Sequence, residues 1–282
     1  MDLISVAESS RLSVWRYASQ AILANIPAAD YRVIVPRGQL SAFRAQTPGE
    51  ISVECEEDYI QDFSSYLWES IRETDPKRYG WYLQQLIKLE ALRRCGVTSR
   101  RGLVWDADTM PLQPIGFFGQ GSAEIFGSDE HHPPYFAAIE DLLGLKKIVD
   151  RSFISQSFPC EPRWIVEFCD FIEARHGAPW WRAVIASIDF RNQSGFSEYE
   201  TLGTFVSHLF PEGWRWKEGA WYRDGYTQFG GPRKALNAAR KKSADAYFVA
   251  FEPWEPKRKS SLIAVVEKYT TNARQFFDFR TH

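Results

Sequence analysis

Apolar residues along this chain come in short blocks that alternate with longer amphipathic stretches. Residues 2–7 (Asp-Leu-Ile-Ser-Val-Ala) read as a first strand and residues 11–26 as a helix that stops ahead of Pro27. Residues 31–36 form a second apolar run closed by Pro36, and residues 51–55 a third. This β-α-β rhythm predicts a parallel sheet with right-handed crossovers, whose ligands gather at the carboxyl ends of the strands. Glu8, Ser9 and Arg11 follow the first strand and so stand where a nucleotide would be held, with Ser9 or Ser10 also suited to cap the helix.

Downstream, the acidic Glu56-Glu57-Asp58 reads as a solvated turn, and residues 79–95 as a helix ended by Gly96. Gln84, Gln85 and Lys88 share one side of that helix, and the lysine is placed to reach a diphosphate. Residues 111–121 read as a loop and 124–126 as an edge strand; residues 129–136 look too rich in proline for a helix, which begins at Ala137. Residues 152–157 read as a polar-decorated strand in which Ser152 would bond hydroxyl groups. Helices follow over 164–175 and 180–188, a strand over 246–251 and a last helix from about Ser260.

The chemistry concentrates where Leu103-Val104-Trp105 runs into Asp106-Ala107-Asp108. On an extended chain, side chains two apart share a face, so the two carboxylates would stand side by side and call for a cation between them. Hard carboxylate oxygens suit Mg²⁺ or Mn²⁺, with coordination positions left for substrate phosphates. A plain cap or turn ahead of Pro111 is the ordinary alternative for either aspartate. A second acidic group, Ser197-Glu198-Tyr199-Glu200, precedes an apolar helix. Ser197 and Glu200 match a capping box, while a glutamate at that helix start is also placed to act as general base on a hydroxyl.

Composition narrows the classes. The 34 basic and 36 acidic residues leave a net charge of −2, which argues against nucleic acid as the partner. Cys55, Cys95, Cys160 and Cys169 form no Cys-x-x-Cys pair and the N-terminus lacks an export signal, so free thiols in the cytoplasm are expected. No apolar run has the length to cross a bilayer, and any membrane association would be peripheral at the inner face. Basic clusters at Arg233-Lys234, Arg240-Lys241-Lys242 and Lys257-Arg258-Lys259 are either solvated helix faces or the means of holding an anionic membrane or a diphosphate-linked lipid. The 11 tryptophans and 12 tyrosines fit core packing and also stacking against pyranose faces.

Taken in order, residues 81–89 (Trp-Tyr-Leu-Gln-Gln-Leu-Ile-Lys-Leu), 104–109 (Val-Trp-Asp-Ala-Asp-Thr), 132–136 (His-Pro-Pro-Tyr-Phe), 152–154 (Ser-Phe-Ile) and 197–200 (Ser-Glu-Tyr-Glu) resemble a bacterial family of glycosyltransferase-like proteins with the GT-A fold. The resemblance covers most of the chain. It implies one GT-A-like, Rossmann-like α/β domain over residues 1–282: a mixed, mostly parallel central sheet flanked by helices. Within it, about 1–115 is the nucleotide-sugar half, about 116–250 the acceptor half and about 251–282 a C-terminal helix or tail.

The function implied is metal-dependent transfer of a sugar from a nucleotide-diphosphate sugar to a carbohydrate or lipid-linked acceptor, in bacterial surface polysaccharide or glycoconjugate synthesis. By that resemblance Asp108 ligates the metal directly, Asp106 faces the ribose or donor sugar, and His208 is the candidate for a further ligand. Glu200, with Glu198 beside it, would take the acceptor proton if configuration inverts; a retaining reaction needs no such base. Trp105 departs from the pattern, since a smaller aliphatic residue usually precedes the first aspartate. Two other classes share parts of the pattern: a haloacid-dehalogenase-type phosphatase, which also ends a strand in Asp-x-Asp, and a non-catalytic carbohydrate-binding protein on the same fold.

Overall fold

The computed structural model describes residues 1–60, 63–119 and 121–255. The helix expected from about Ser260, the Lys257-Arg258-Lys259 cluster and most of the 251–282 tail lie outside the described residues.

In chain order the elements are β1 (Asp2–Val6), α1 (Leu12–Asn25), β2 (Asp30–Val35), α2 (Leu40–Arg44), β3 (Ser52–Cys55), α3 (Ser64–Ile71) and α4 (Tyr79–Val97). Then come β4 (Gly102–Trp105), β5 (Thr109–Pro111), β6 (Phe118–Gly119), β7 (Ser122–Ile125), α5 (Pro133–Leu143), β8 (Ser157–Cys160), α6 (Pro162–His176) and α7 (Trp180–Ala186). The described chain finishes with α8 (Glu198–Leu209), β9 (Trp214–Trp216), α9 (Gly225–Phe229), α10 (Pro232–Arg240) and β10 (Phe248–Ala250).

The central sheet has the order β3-β2-β1-β4-β8. Its first four strands are parallel, and β8 runs antiparallel to β4 with Val104 opposite Phe158. The expected mixed, mostly parallel sheet flanked by helices is therefore what the chain forms. Alternation along the strands sorts residues onto two faces. Leu3, Val33, Val35, Leu103 and Trp105 pack with Trp15 and Ile22 of α1, whereas Ile4, Ile34, Val104 and Phe158 pack against α4, α6 and α8. Both faces are covered, which is why these strands read as apolar runs. The aspartates follow β4 at once: its chain leaves the sheet, turns through Ala107 and Asp108, and pairs as β5 with β10.

Several expectations are corrected. α4 continues through Gly96 to Val97, because there α6 comes so close that a Cβ on Gly96 would lie 2.6 Å from Ile165 Cγ2 and 2.8 Å from the Pro162 carbonyl oxygen. Glycine permits the contact instead of ending the helix. α5 begins at Pro133, where prolines occupy the first turn and cost no hydrogen bond because N–H groups there have no helical partner. Residues 152–157 do not form a strand: Ser152 makes an isolated bridge to Ser128 and β8 starts only at Ser157. Ser152 Oγ and the Phe153 N–H are bound instead by Glu200, which ties this segment to α8. Glu56–Asp58 is a 3-10 turn.

All four cysteines are buried and unpaired. Among the described residues no helix is long and apolar enough to cross a membrane.

Candidate active site

A cavity of about 480 Å³ opens where the parallel strands end. Ala7 and Glu8 follow β1, Pro36 follows β2, Glu56 follows β3, and Asp106 to Asp108 follow β4; all of them line it. This is the carboxyl edge at which α/β sheets collect ligands, since the loops that leave the strands there are free to vary over a fixed scaffold. α4 contributes Gln84, Gln85 and Lys88 to the wall, α8 contributes Glu198 and Tyr199, and the segments around β10 contribute Arg223 and Glu252.

At the centre is a buried charged network. Lys88 Nζ donates to Asp106 Oδ1 at 2.6 Å, to Glu198 Oε1 at 2.7 Å and to Tyr199 Oη at 3.2 Å. An ammonium has three N–H donors, so all three are matched, and binding a phosphate would require Lys88 to release a partner. Tyr199 Oη donates in turn to the same Asp106 oxygen at 2.6 Å. The Glu198 backbone N–H donates to Gln85 Oε1 at 3.0 Å, joining the first turn of α8 to α4. Burial works against the Lys88 charge, but Asp106 and Glu198 outweigh it and hold the ammonium above its ordinary pKa. Burial, reinforced by Asp106, raises Glu198 above the usual carboxylate range against the opposing pull of Lys88.

Asp108 turns toward Arg11, whose Nε lies 3.4 Å from Oδ2. Its carboxyl is pushed up to about 7, first by burial and then by Glu252 and Asp106, with Arg11 only partly offsetting them. The two aspartates thus do not stand side by side on an extended strand: the turn at Ala107 sends Asp106 to Lys88 and Asp108 to Arg11. Opposite them, the Asp106 N–H donates to the carbonyl of Gln156, a residue held at φ 64°. Backbone strain at a non-glycine residue is retained where surrounding contacts enforce it, here the β4–β8 junction.

The same cavity receives residues that the sequence reading passed over. Arg223 Nε donates to Glu252 Oε1 at 2.9 Å and its other arm binds Glu130. Tyr199 carried a hint, lying between Glu198 and Glu200. Arg223 and Glu252 carried none, because they reach the site only by long-range packing.

The structure separates the remaining candidates. Glu8 and Arg11 line the cavity, whereas Ser9 does not. Ser152 is buried away from it and donates to Glu200 Oε2 at 2.6 Å. Glu200, also buried, accepts further from the Phe153 N–H at 2.9 Å and from Lys147 Nζ, and its own N–H donates to the capping Ser197 Oγ at 3.3 Å. Its carboxylate clamps the 147–153 segment onto α8 and lies outside the cavity wall. The capping box is therefore half formed: Ser197 caps, but Glu200 does not reach back. His208 lies ten residues beyond Glu198, about 15 Å along the helix axis, and its Nε2 donates to the Lys146 carbonyl at 2.8 Å. It takes no part in the cavity.

The donor set fits a hard divalent cation of the kind that keeps open positions. Seven carboxylates but four cationic side chains line the cavity, and Asp108 sits in a surplus of negative charge. Among the described residues no three His, Cys, Asp or Glu side chains form a ready-made cage. Mg²⁺-type sites ordinarily use one or two carboxylates and complete their shell with water and substrate phosphates.

No family model matches this chain, and no curated protein matches it in sequence. Among solved structures it is similar to apo mouse xyloside xylosyltransferase 1 (12% identity over 91% of this chain and 99% of that one, TM-score 0.45). It is also similar to the galactosyltransferase LgtC in complex with donor and acceptor sugar analogs (13% identity over 98% and 96%, TM-score 0.44). An active-site mutant of LgtC matches at 12% identity over 96% of each chain, with a TM-score of 0.47. Likeness this slight transfers no chemistry from those proteins to this one.

Proposed function

We propose that this chain is a glycosyltransferase that uses a divalent metal, Mn²⁺ or Mg²⁺, to move a sugar from a nucleotide-diphosphate sugar to a hydroxyl of a carbohydrate or lipid-linked acceptor. One observation carries the reading: Asp106 and Asp108 leave β4 into the cavity on which all four parallel strands converge, in a surplus of carboxylate that a cation would balance. Asp108 would hold the ion, with Asp106 contributing from across the turn at Ala107, and the ion when bound would offset the charge of the leaving diphosphate.

The chain's own residues supply the rest. Arg11 and Gln84 offer donors to the nucleotide, and Lys88 fixes the orientation of Asp106 and Glu198. Of the two α8 glutamates, Glu198 and not Glu200 faces the cavity. Its raised proton affinity suits it to take the proton of an acceptor hydroxyl in an inverting transfer. Residues 1–115 then carry most donor contacts, and the segment from about 116 to 250 supplies the acceptor side through Glu130, Glu198 and Arg223. The setting we assign is bacterial surface polysaccharide or glycoconjugate synthesis, with the protein in the cytoplasm and in peripheral contact with the membrane. Exposed Arg233, Lys234, Arg240, Lys241 and Lys242 on and beside α10 support that contact.

The test is thermal-shift titration with UDP, GDP, CDP and their sugars, with and without Mn²⁺. A ligand that binds the native state raises the melting temperature by mass action. One nucleoside diphosphate should raise it only with metal, and Asp108→Asn should abolish that shift. If no nucleotide stabilises the protein, or Asp108→Asn leaves the shift intact, the reading is overturned.

A further inference from the structure

A second cavity of about 340 Å³ lies between α4, α6 and α7. One wall is aromatic: the half-buried Trp181 stands beside the buried Trp180 and Tyr59, and the Tyr59 ring already carries the Arg94 guanidinium 4.1 Å from its centroid, so Trp181 is the ring left open to a ligand. The other wall is polar. Glu90 accepts from Arg93 Nε at 2.6 Å and from Arg94 Nε at 2.9 Å, so both guanidinium charges are met by a carboxylate already in place. Arg94 also donates to the Asp58 carbonyl at 2.6 Å. Asp170 and Glu173 on α6 add acceptor oxygens at the mouth. With the arginines neutralised and acids in excess, this cavity repels phosphate, sulfate and uronate. Its pairing of the Trp181 ring with hydrogen-bonding groups of both kinds matches neutral pyranoses, which present apolar ring faces and a belt of hydroxyls.

Its position relates it to the first cavity. Glu56 and Asp58 belong to one 3-10 turn, yet Glu56 lines the first cavity and Asp58 the second. On α4, Leu83 lines the first and Glu90 the second; seven residues apart, they share one side of the helix, about 10 Å from each other along its axis. Tyr79, in the first cavity, packs against the exposed Trp68 of α3 with ring centroids 5.6 Å apart, and on the other side of α3 Tyr66 packs against Trp181 at 5.8 Å.

We propose that the second cavity is a binding subsite for a neutral oligosaccharide, and that the acceptor is a glycan of several sugars whose end enters the first cavity while its distal units rest against Trp181. The identification of this glycan as an acceptor rests on the transferase reading; binding in the second cavity does not.

The experiment is isothermal titration of the full chain with maltopentaose, cellopentaose and N-acetylchitopentaose, each beside the methyl glycoside of its sugar, with the Mn²⁺-dependent nucleotide thermal shift measured in parallel. One pentasaccharide should bind at least tenfold tighter than its monosaccharide. Trp181→Ala should remove that advantage and leave the nucleotide shift unchanged. Because Trp181 also packs against Phe63 and Tyr66, Asp170→Arg serves as a second variant: it lies on an exposed helical position and sets a long side chain across the cavity mouth. A pentasaccharide that binds no tighter than its monosaccharide overturns the proposal, as does an advantage that survives either folded variant. Loss of the advantage in the variants of a protein that no nucleotide stabilises upholds the subsite and sinks the transferase reading instead.

Discussion

Lys88 and Asp106 form an ion pair of 2.6 Å at the junction of α4 and β4, with the lysine side chain 5% exposed and the aspartate 20%. Glu198 and Tyr199 close the remaining valences of the ammonium, so four residues from three elements hold one another in place. Removing one partner of such a buried group leaves uncompensated charge. Lys88→Met is expected to cost about 3–5 kcal/mol, read as a lower urea midpoint. Lys88→Arg should not restore it, because a planar guanidinium does not reproduce three donors arranged around one nitrogen.

The two glutamates of α8 should separate cleanly. Glu198→Gln should lower the transfer rate by about 10²–10⁴-fold with little change in metal-dependent nucleotide binding. Glu200→Gln should act on stability without that rate loss, costing roughly 2–4 kcal/mol as Lys147 and the Phe153 N–H lose a charged partner. The paired measurement is product formation beside a melting curve. Equal rate losses with equal melting temperatures would contradict the assignment.

Glu56, at the rim of the first cavity, is pushed up to about 7, first by burial and then by Glu57 and Glu8. An acid that binds its proton more tightly in the fold penalises the folded state as pH rises from its unfolded pKa through about 7. Stability should therefore fall between about pH 4.5 and 7 through this residue, and Glu56→Gln should flatten that slope. Full linkage for such a shift is about 3 kcal/mol. With the carboxyl partly open to solvent, roughly half of that is expected at pH 8. Urea midpoints of both proteins at pH 5 and pH 8 provide the check.

Gly203, inside α8, faces the Phe153 ring so closely that a Cβ would fall 2.1 Å from Cγ. Phe153 belongs to the segment clamped by Glu200, packs against Trp214 and Trp216, and has no room to withdraw. Gly203→Ala should destabilise by about 1–3 kcal/mol despite the better helix propensity of alanine, since overpacking outweighs it. A melting temperature at or above that of the parent would refute this.

The sequence by itself determined the sheet and its chemical edge. A helix that stops ahead of Pro27 and an apolar run closed by Pro36 marked the β-α-β rhythm, the run into Asp106 marked the exit of β4, and the spacing of Gln84, Gln85 and Lys88 put them on one side of a helix. These are local regularities of period two and 3.6, and they survive folding because both sheet faces are buried. Tertiary structure alone decided which polar residues meet. Glu198 and Glu200 are two apart on a helix and so point nearly opposite ways. Only the docking of α8 between α4 and the 147–153 segment turned Glu198 into the cavity and Glu200 away from it. Arg223 and Glu252 come to Asp106 and Asp108 across more than a hundred residues of chain, and His208 stays distant for the same reason. Such pairings depend on how whole elements pack, which no stretch of sequence short enough to read for periodicity contains.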